Sequence, residues 1–281
     1  MAYGGIKLGA NRVVRKDDGA IEIRHECETP DDRDYRFEDS KIFTCFRPVV
    51  ASDSVDWLVH VEDMGFRVQI ANDCVAYDLA QKAWLCAAIQ GHRLKVFPSV
   101  LAPYAQARLL GDPPKRPGEP ILTDWGSGCR FAMQASGEVG LVDEARWPEL
   151  AENVNVVPPA DVYHQGACAT VEGYYRIADG ESASSKLFEA LRRGYAPGFC
   201  MVVDQAFADL RGDATYVPGG KALGGHAQTI AVYDAPRDRF GAISTWGRDH
   251  GHNGILWVPA SYINRHAYDM WVVQVAPEAL K

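Results

Sequence analysis

The chain has no apolar run approaching the roughly 18 residues of a membrane-spanning helix, so no bilayer-crossing segment is expected. Nor does it have an excess of positive charge. Its 29 Lys and Arg stand against 37 Asp and Glu, and the formal net charge of −8 disfavours nucleic acid or an anionic membrane surface as the main partner. The first residues, MAYGGIKLGANRVVRKDDG, lack the apolar core of a signal peptide, so a cytoplasmic or particle-associated protein is expected. The seven cysteines are odd in number and form no CxxC pair, which argues against a zinc ribbon or a disulfide scaffold and for a reducing compartment. No cofactor and no metal are expected. Internal repeats and low-complexity tracts are also missing.

What is present is an ordinary globular composition, 47% hydrophobic and 23% charged, with enough length to bury a substantial core. Two short alternating runs flank Asp18-Gly19 and read as a hairpin over 12–26. Residues 28–41 read as a charged, solvated connector. Val75, Leu79, Ala83 and Cys86 recur at helical spacing beside several alanines, which predicts a closely packed helix over about 74–91 ending near Gly91. A Pro/Gly loop spans 109–120, and Asp124 offers an N-cap for a helix around Cys129. The Pro-rich stretch 147–166 reads as a boundary between two halves. Beyond it come β-type runs, interrupted by one helix over 182–194 that closes on Gly194.

Two thiols are placed as nucleophiles usually are. Cys129 follows a glycine-rich turn in DWGSGCRFAMQ, and Cys74 heads the long helix in VQIANDCVAYDLA. A thiolate is stabilised by a helix N-terminus and by an adjacent histidine, which a third polar group must orient. The best-placed histidine is His226 in GGHAQTIAVYD, where Gly224 and Gly225 allow close backbone approach ahead of a β-run. His250 and His252, with Asp249, lack a further spaced ligand for a metal. His25, His60, His92, His164 and His266 carry no comparable context.

These segments resemble the papain-like cysteine peptidases, in particular a bacterial and phage branch. GGHAQTIAVYD resembles the strand that carries the base, ISTWGRDHGHNG the strand and turn that follow, and ILWVPASYINRHAYDMWVV the closing segment. SVDWLVHVEDMGFRVQIANDCVAYDLA resembles the signature leading to the nucleophile, with Trp57 and Gln69 at the family separation. FPSVLAPYAQAR, GLVDEARWPE, EGYYRI and LFEALRRGYAPGFCMVV continue in the expected order, so the resemblance covers about residues 55–275.

The resemblance implies an α+β, two-lobed fold. A helical lobe with a long central helix would face an antiparallel, barrel-like β lobe across a cleft. It implies an N-terminal extension at 1–50, a helix-rich lobe at 51–155 and a β-rich lobe at 156–281. It implies a cysteine peptidase acting on polypeptides through an acyl-enzyme. Cys74 would be the nucleophile, His226 the base, and Gln69 with the Cys74 N–H the oxyanion hole. Ser244 stands at the position of the orienting residue, and Trp246 and Gly225 line the cleft. Cys129 then falls to packing.

Two departures qualify the catalytic expectation. Ser244 replaces the family's longer asparagine. Gln69 stands one residue closer to the thiol than in the family, and Asp73 places an anion beside Cys74, which opposes thiolate formation. The alternative expectation is therefore a weakened papain-like domain that binds or serves a larger assembly, such as a phage particle, with residues 1–50 as propeptide or attachment element. A cell-wall amidase or acyltransferase with the same Cys–His order is a further one.

Overall fold

The computed structural model describes residues 34–41, 43, 48, 50–111, 120–165 and 167–277, together with the backbone of 11–15 and 21–25. The expected hairpin strands pair antiparallel, β1 (Asn11–Arg15) with β2 (Ile21–His25), while the turn at Asp18-Gly19 lies outside the described residues. Most of the 109–120 loop lies outside them too.

The remaining strands are β3 (Val55–Asp56), β4 (Leu141–Val142), β5 (Ala167–Ile177), β6 (Gly198–Asp204), β7 (Ala222–Asp234), β8 (Arg239–Ile243), β9 (Ile255–Pro259) and β10 (Tyr268–Pro277). The helices are α1 (Leu58–Met64), α2 (Cys74–Ile89), α3 (Leu101–Gly111), α4 (Cys129–Val139), α5 (Ala160–Gln165), α6 (Ala183–Arg192), α7 (Gln205–Ala208) and α8 (Ala260–His266). The strands after β2 form one antiparallel sheet in the order β4-β5-β10-β6-β7-β8-β9, with β3 on β7.

The architecture is the expected two-lobed α+β one, but the sheet is open rather than barrel-like. Closure requires the two edge strands to hydrogen-bond to each other. Here β4 is two residues long and pairs with β5, while β9 pairs with β8 and runs directly into α8, and among the described residues these two edge strands do not pair with each other. The edges are shortened and capped, which guards them against further pairing without closing the sheet.

The central helix α2 is buried from Cys74 through Ala87 and packs on β7 and β10. Its alanines permit that approach, and so does Gly198 at the start of β6, where a Cβ would lie 2.0 Å from Asp78 Oδ1. Asp78 is held inside the protein by an ion pair to Lys82 at 2.7 Å and by the Thr229 hydroxyl, which donates at 2.8 Å. The charges are thus matched where burial alone would penalise them.

Two local expectations change. Residues 34–40 are not a solvated connector throughout: Phe37 is fully buried, and Asp34 is gripped by Arg130 at 2.7 Å and Arg176 at 3.4 Å. Asp124 does not cap α4. Gly128 precedes it, and Cys129 is its first residue. Asp124 instead accepts from the Asn72 N–H at 2.9 Å and the Tyr104 hydroxyl at 2.6 Å.

Candidate functional site

The segment after α1 runs beside the one after β8. Val68 bridges Trp246, and the Gln69 N–H donates to the Thr245 carbonyl at 2.9 Å. The Gln69 side chain is engaged at both ends. Its Oε1 accepts from the Thr245 hydroxyl at 2.6 Å, and its Nε2 donates to the Ala71 carbonyl at 2.8 Å. Cys74 opens α2 a few residues on and is buried.

Burial pushes the Cys74 thiol up to about 12, with Cys200, Asp73 and Asp78 adding to it and a hydrogen bond from the Ala227 backbone opposing. When ionised, Asp73 raises the Cys74 thiol, by less than desolvation does. Asp73 itself is fully buried, and among the described residues its carboxyl oxygens find no partner beyond its own N–H. Burial, and then Glu149, raise its pKa well above the ordinary carboxylate range.

His226 lies on β7 opposite Met201 of β6, and Gly225 pairs with Val202. The ring is buried, and its Nδ1 has no hydrogen-bond partner among the described residues. Burial, with His250 adding, lowers its pKa to about 3. The Trp246 indole touches two imidazoles, with ring centroids 5.0 Å from His226 and 4.8 Å from His250. Phe207 packs edge-on against all three rings.

Ser244 is fully buried at the end of β8 and serves His250 rather than His226. Its Oγ lies 3.0 Å from His250 Nδ1 and accepts from the Trp246 N–H at 3.0 Å. His250 Nε2 lies 2.8 Å from the Phe207 carbonyl, which can only accept, so Nε2 carries the proton. Burial lowers the His250 pKa to about 4, so the ring is neutral and Nδ1 accepts from the Ser244 hydroxyl. Both roles of that hydroxyl are taken. His250 is the residue that sequence reasoning missed, having been weighed there only as a metal ligand.

These findings correct the expected Cys–His acyl-enzyme mechanism. A thiol near 12 and an imidazole near 3 favour the neutral forms of both groups, not a thiolate–imidazolium pair. The cysteines that do converge meet no histidine. Among the described residues, Cys129, Cys200 and Asp269 place their potential ligand atoms within 4.8 Å of one another, and the two sulfurs are 3.4 Å apart. That trio could hold a metal by its donor types. Its aspartate is already engaged, however, by the Trp271 indole N–H at 2.7 Å and by Arg176 at 3.6 Å. Cys129 belongs to the hydrophobic core.

No family model and no curated protein matches the chain. Solved structures do. Xylellain, a cysteine protease from Xylella fastidiosa, superposes with a TM-score of 0.69 at 19% identity over 98% of each chain. Procathepsin B S9 from Trypanosoma congolense gives 0.65 at 14%, over 88% of this chain and 84% of that one. Bromelain from Ananas comosus, solved with the inhibitor E64, gives 0.57 at 15%, over 79% and 99%. The fold is that of the papain-like cysteine proteases. The matches come from bacterial, protozoan and plant proteins alike, so they do not single out a bacterial or phage branch. Within this cysteine-protease-like fold, among the described residues, Ser244 is hydrogen-bonded to His250 and no hydrogen bond joins it to His226, so no hydrogen-bonded Cys–His–Ser triad is present. Among the described residues no helix is long and apolar enough to cross a membrane.

Proposed function

We propose that the chain is a papain-like domain whose cleft is catalytically silent and which acts as a polypeptide-binding or structural component of a larger assembly. The observation that carries this reading is the engagement of Ser244 with His250, which leaves His226 Nδ1 buried and without an orienting partner among the described residues. The neutral thiol at Cys74 and the buried, unpartnered Asp73 support it. In this reading the lobes 51–155 and 156–281 present a groove edged by Gln69, Gly225 and Trp246, and residues 1–50 serve as the attachment element.

The test pairs reactivity with binding. The purified chain at neutral pH is expected neither to hydrolyse a fluorescent casein nor to be labelled at Cys74 by an epoxide thiol reagent. It is expected to raise the fluorescence anisotropy of an unfolded, labelled polypeptide, and Trp246→Ala is expected to weaken that binding. Casein hydrolysis that disappears in Cys74→Ala, or an absence of any polypeptide binding, overturns the proposal.

A further inference from the structure

Away from the cleft, Tyr35, the C-terminal end of α4 and the middle of β5 line a cavity of about 490 Å³ that is open to solvent. Tyr35, Tyr174 and Tyr175 supply its aromatic lining, and Glu138 and Glu172 its charge.

Three features of the sequence build this cavity at a cost to the elements that carry it. Gly137 lies inside α4, where glycine is about 1 kcal/mol worse than alanine. Gly173 lies inside β5, where it likewise weakens a strand. Neither has a positive φ, so the backbone does not demand glycine at either place. The tyrosines do. A Cβ at 137 would meet Tyr174 Cε1 at 3.1 Å, and one at 173 would meet the Tyr175 hydroxyl at 2.7 Å. The third feature is a bulge. Gly173 pairs with Gln274 and Val171 with Val275, so Glu172 is the extra residue of β5 in the register. A bulge re-aims the side chain it carries.

Glu138 accepts from Gln134 and Glu172 from Gln274, both at 3.0 Å, and among the described residues neither carboxylate makes an ion pair. The Tyr35 and Tyr174 rings meet at 72° with centroids 6.4 Å apart, giving two walls nearly at right angles. Tyr35 remains 67% exposed, an unusual state for a ring that packing could bury. Aromatic faces at an angle, with two carboxylates lacking a cation, form the surroundings that attract an ammonium group.

We propose that this cavity binds the ammonium end of a lysine side chain presented by a partner polypeptide. Its apolar stem would lie along the tyrosine rings while the charge sits between Glu138 and Glu172. The site is separate from the cleft, so it stands whether or not the cleft is silent.

The probe is Nα-acetyl-lysine methylamide, with the neutral Nα-acetyl-norleucine methylamide as control, titrated into the full chain and followed by amide chemical shifts. The lysine derivative is expected to saturate shifts at Gly137, Glu138, Glu172 and Gly173, and the norleucine derivative to leave them unsaturated. Glu138→Gln with Glu172→Gln is expected to weaken binding about tenfold, in proportion to two partly exposed charge contacts. Tyr174→Leu is expected to weaken it while keeping both charges. Equal responses to the two derivatives overturn the proposal, as does unchanged affinity in the folded double variant. An arginine derivative that saturates the site where the lysine derivative does not overturns the assignment to an ammonium.

Discussion

The Ser244 hydroxyl lies 3.0 Å from His250 Nδ1, and the direction of that bond is fixed from the far side of the ring. Because the Phe207 carbonyl takes the Nε2 proton, Nδ1 must accept and Ser244 must donate. Ser244 also receives the Trp246 N–H, so it ties the turn after β8 to the imidazole beneath it. Ser244→Ala leaves a buried acceptor and a backbone donor unpaired. The expected outcome is a loss of about 2 kcal/mol in urea-unfolding stability with little change in the m-value. Ser244→Thr, which keeps the hydroxyl, is expected to recover part of that loss.

The two buried imidazoles predict a stability change in mild acid. Both pKa values are depressed by burial, to about 4 for His250 and about 3 for His226. In the unfolded chain each takes up a proton as pH falls through about 6.5, while the native state refuses it. The unfolded state then binds more protons, so stability falls as pH drops from about 6.5 to about 4. The raised carboxyls of Asp73, Asp78 and Glu149 act in the opposite sense, since each is protonated in the native state first. Imidazole carbon-bound proton signals separate the two effects. Those of His226 and His250 are expected to hold their neutral shifts from pH 8 to about pH 5.

Much of the fold was legible because its signals are local. The spacing of Val75, Leu79, Ala83 and Cys86 carries α2, and the β-rich runs from Ala167 onward carry β5 to β10. What was not legible depends on chain reversals and edges. The partner of Ser244 is set by the turn between β8 and β9, where Gly247, Gly251, Asn253 and Gly254 all take positive φ and return His250 beneath the serine. No spacing in GRDHGHNG states that geometry. The open sheet follows from the shortness of β4 and the run of β9 into α8, which hydrophobic patterning does not report. The order of Gln69, Cys74, His226, Ser244 and Trp246 pointed to one region, and Gln69, Ser244 and Trp246 do meet through Thr245 and the Val68 bridge. The protonation states of Cys74 and His226, shifted by burial, were invisible in that order.

Asp73 carries a prediction of its own. Its carboxyl is fully buried without an external hydrogen bond, so the native state favours the protonated form that the unfolded chain abandons above about pH 4. Above that pH the raised pKa subtracts from stability, and the deficit closes as pH falls. Asp73→Asn removes the deficit. It is expected to raise unfolding stability by about 2 kcal/mol near pH 8 and to converge on the parent chain toward pH 4. At the alkaline pH where the thiol titrates, Asp73 is ionised and acts on the sulfur, so with Asp73→Asn thiolate absorbance near 240 nm should appear at a lower pH than in the parent. An unchanged thiol titration would show that Asp73 does not act on the sulfur.

The last prediction concerns the seat of the central helix. Gly198 opens β6 opposite Asp78, and a methyl group there would lie 2.0 Å from one carboxyl oxygen and 2.4 Å from the other. The carboxyl cannot retreat, because Lys82 holds it at 2.7 Å and the Thr229 hydroxyl at 2.8 Å, with both partners inside the protein. Gly198→Ala must therefore either move α2 off the sheet or break the buried ion pair. The expected cost is about 3 kcal/mol, the upper part of the usual range for overpacking. If the clash with the carboxylate is the cause, Gly198→Ala combined with Asp78→Ala and Lys82→Met should be non-additive. The glycine change should then cost much less in the background that lacks the ion pair. Equal costs in the two backgrounds would place the strain in the strand itself.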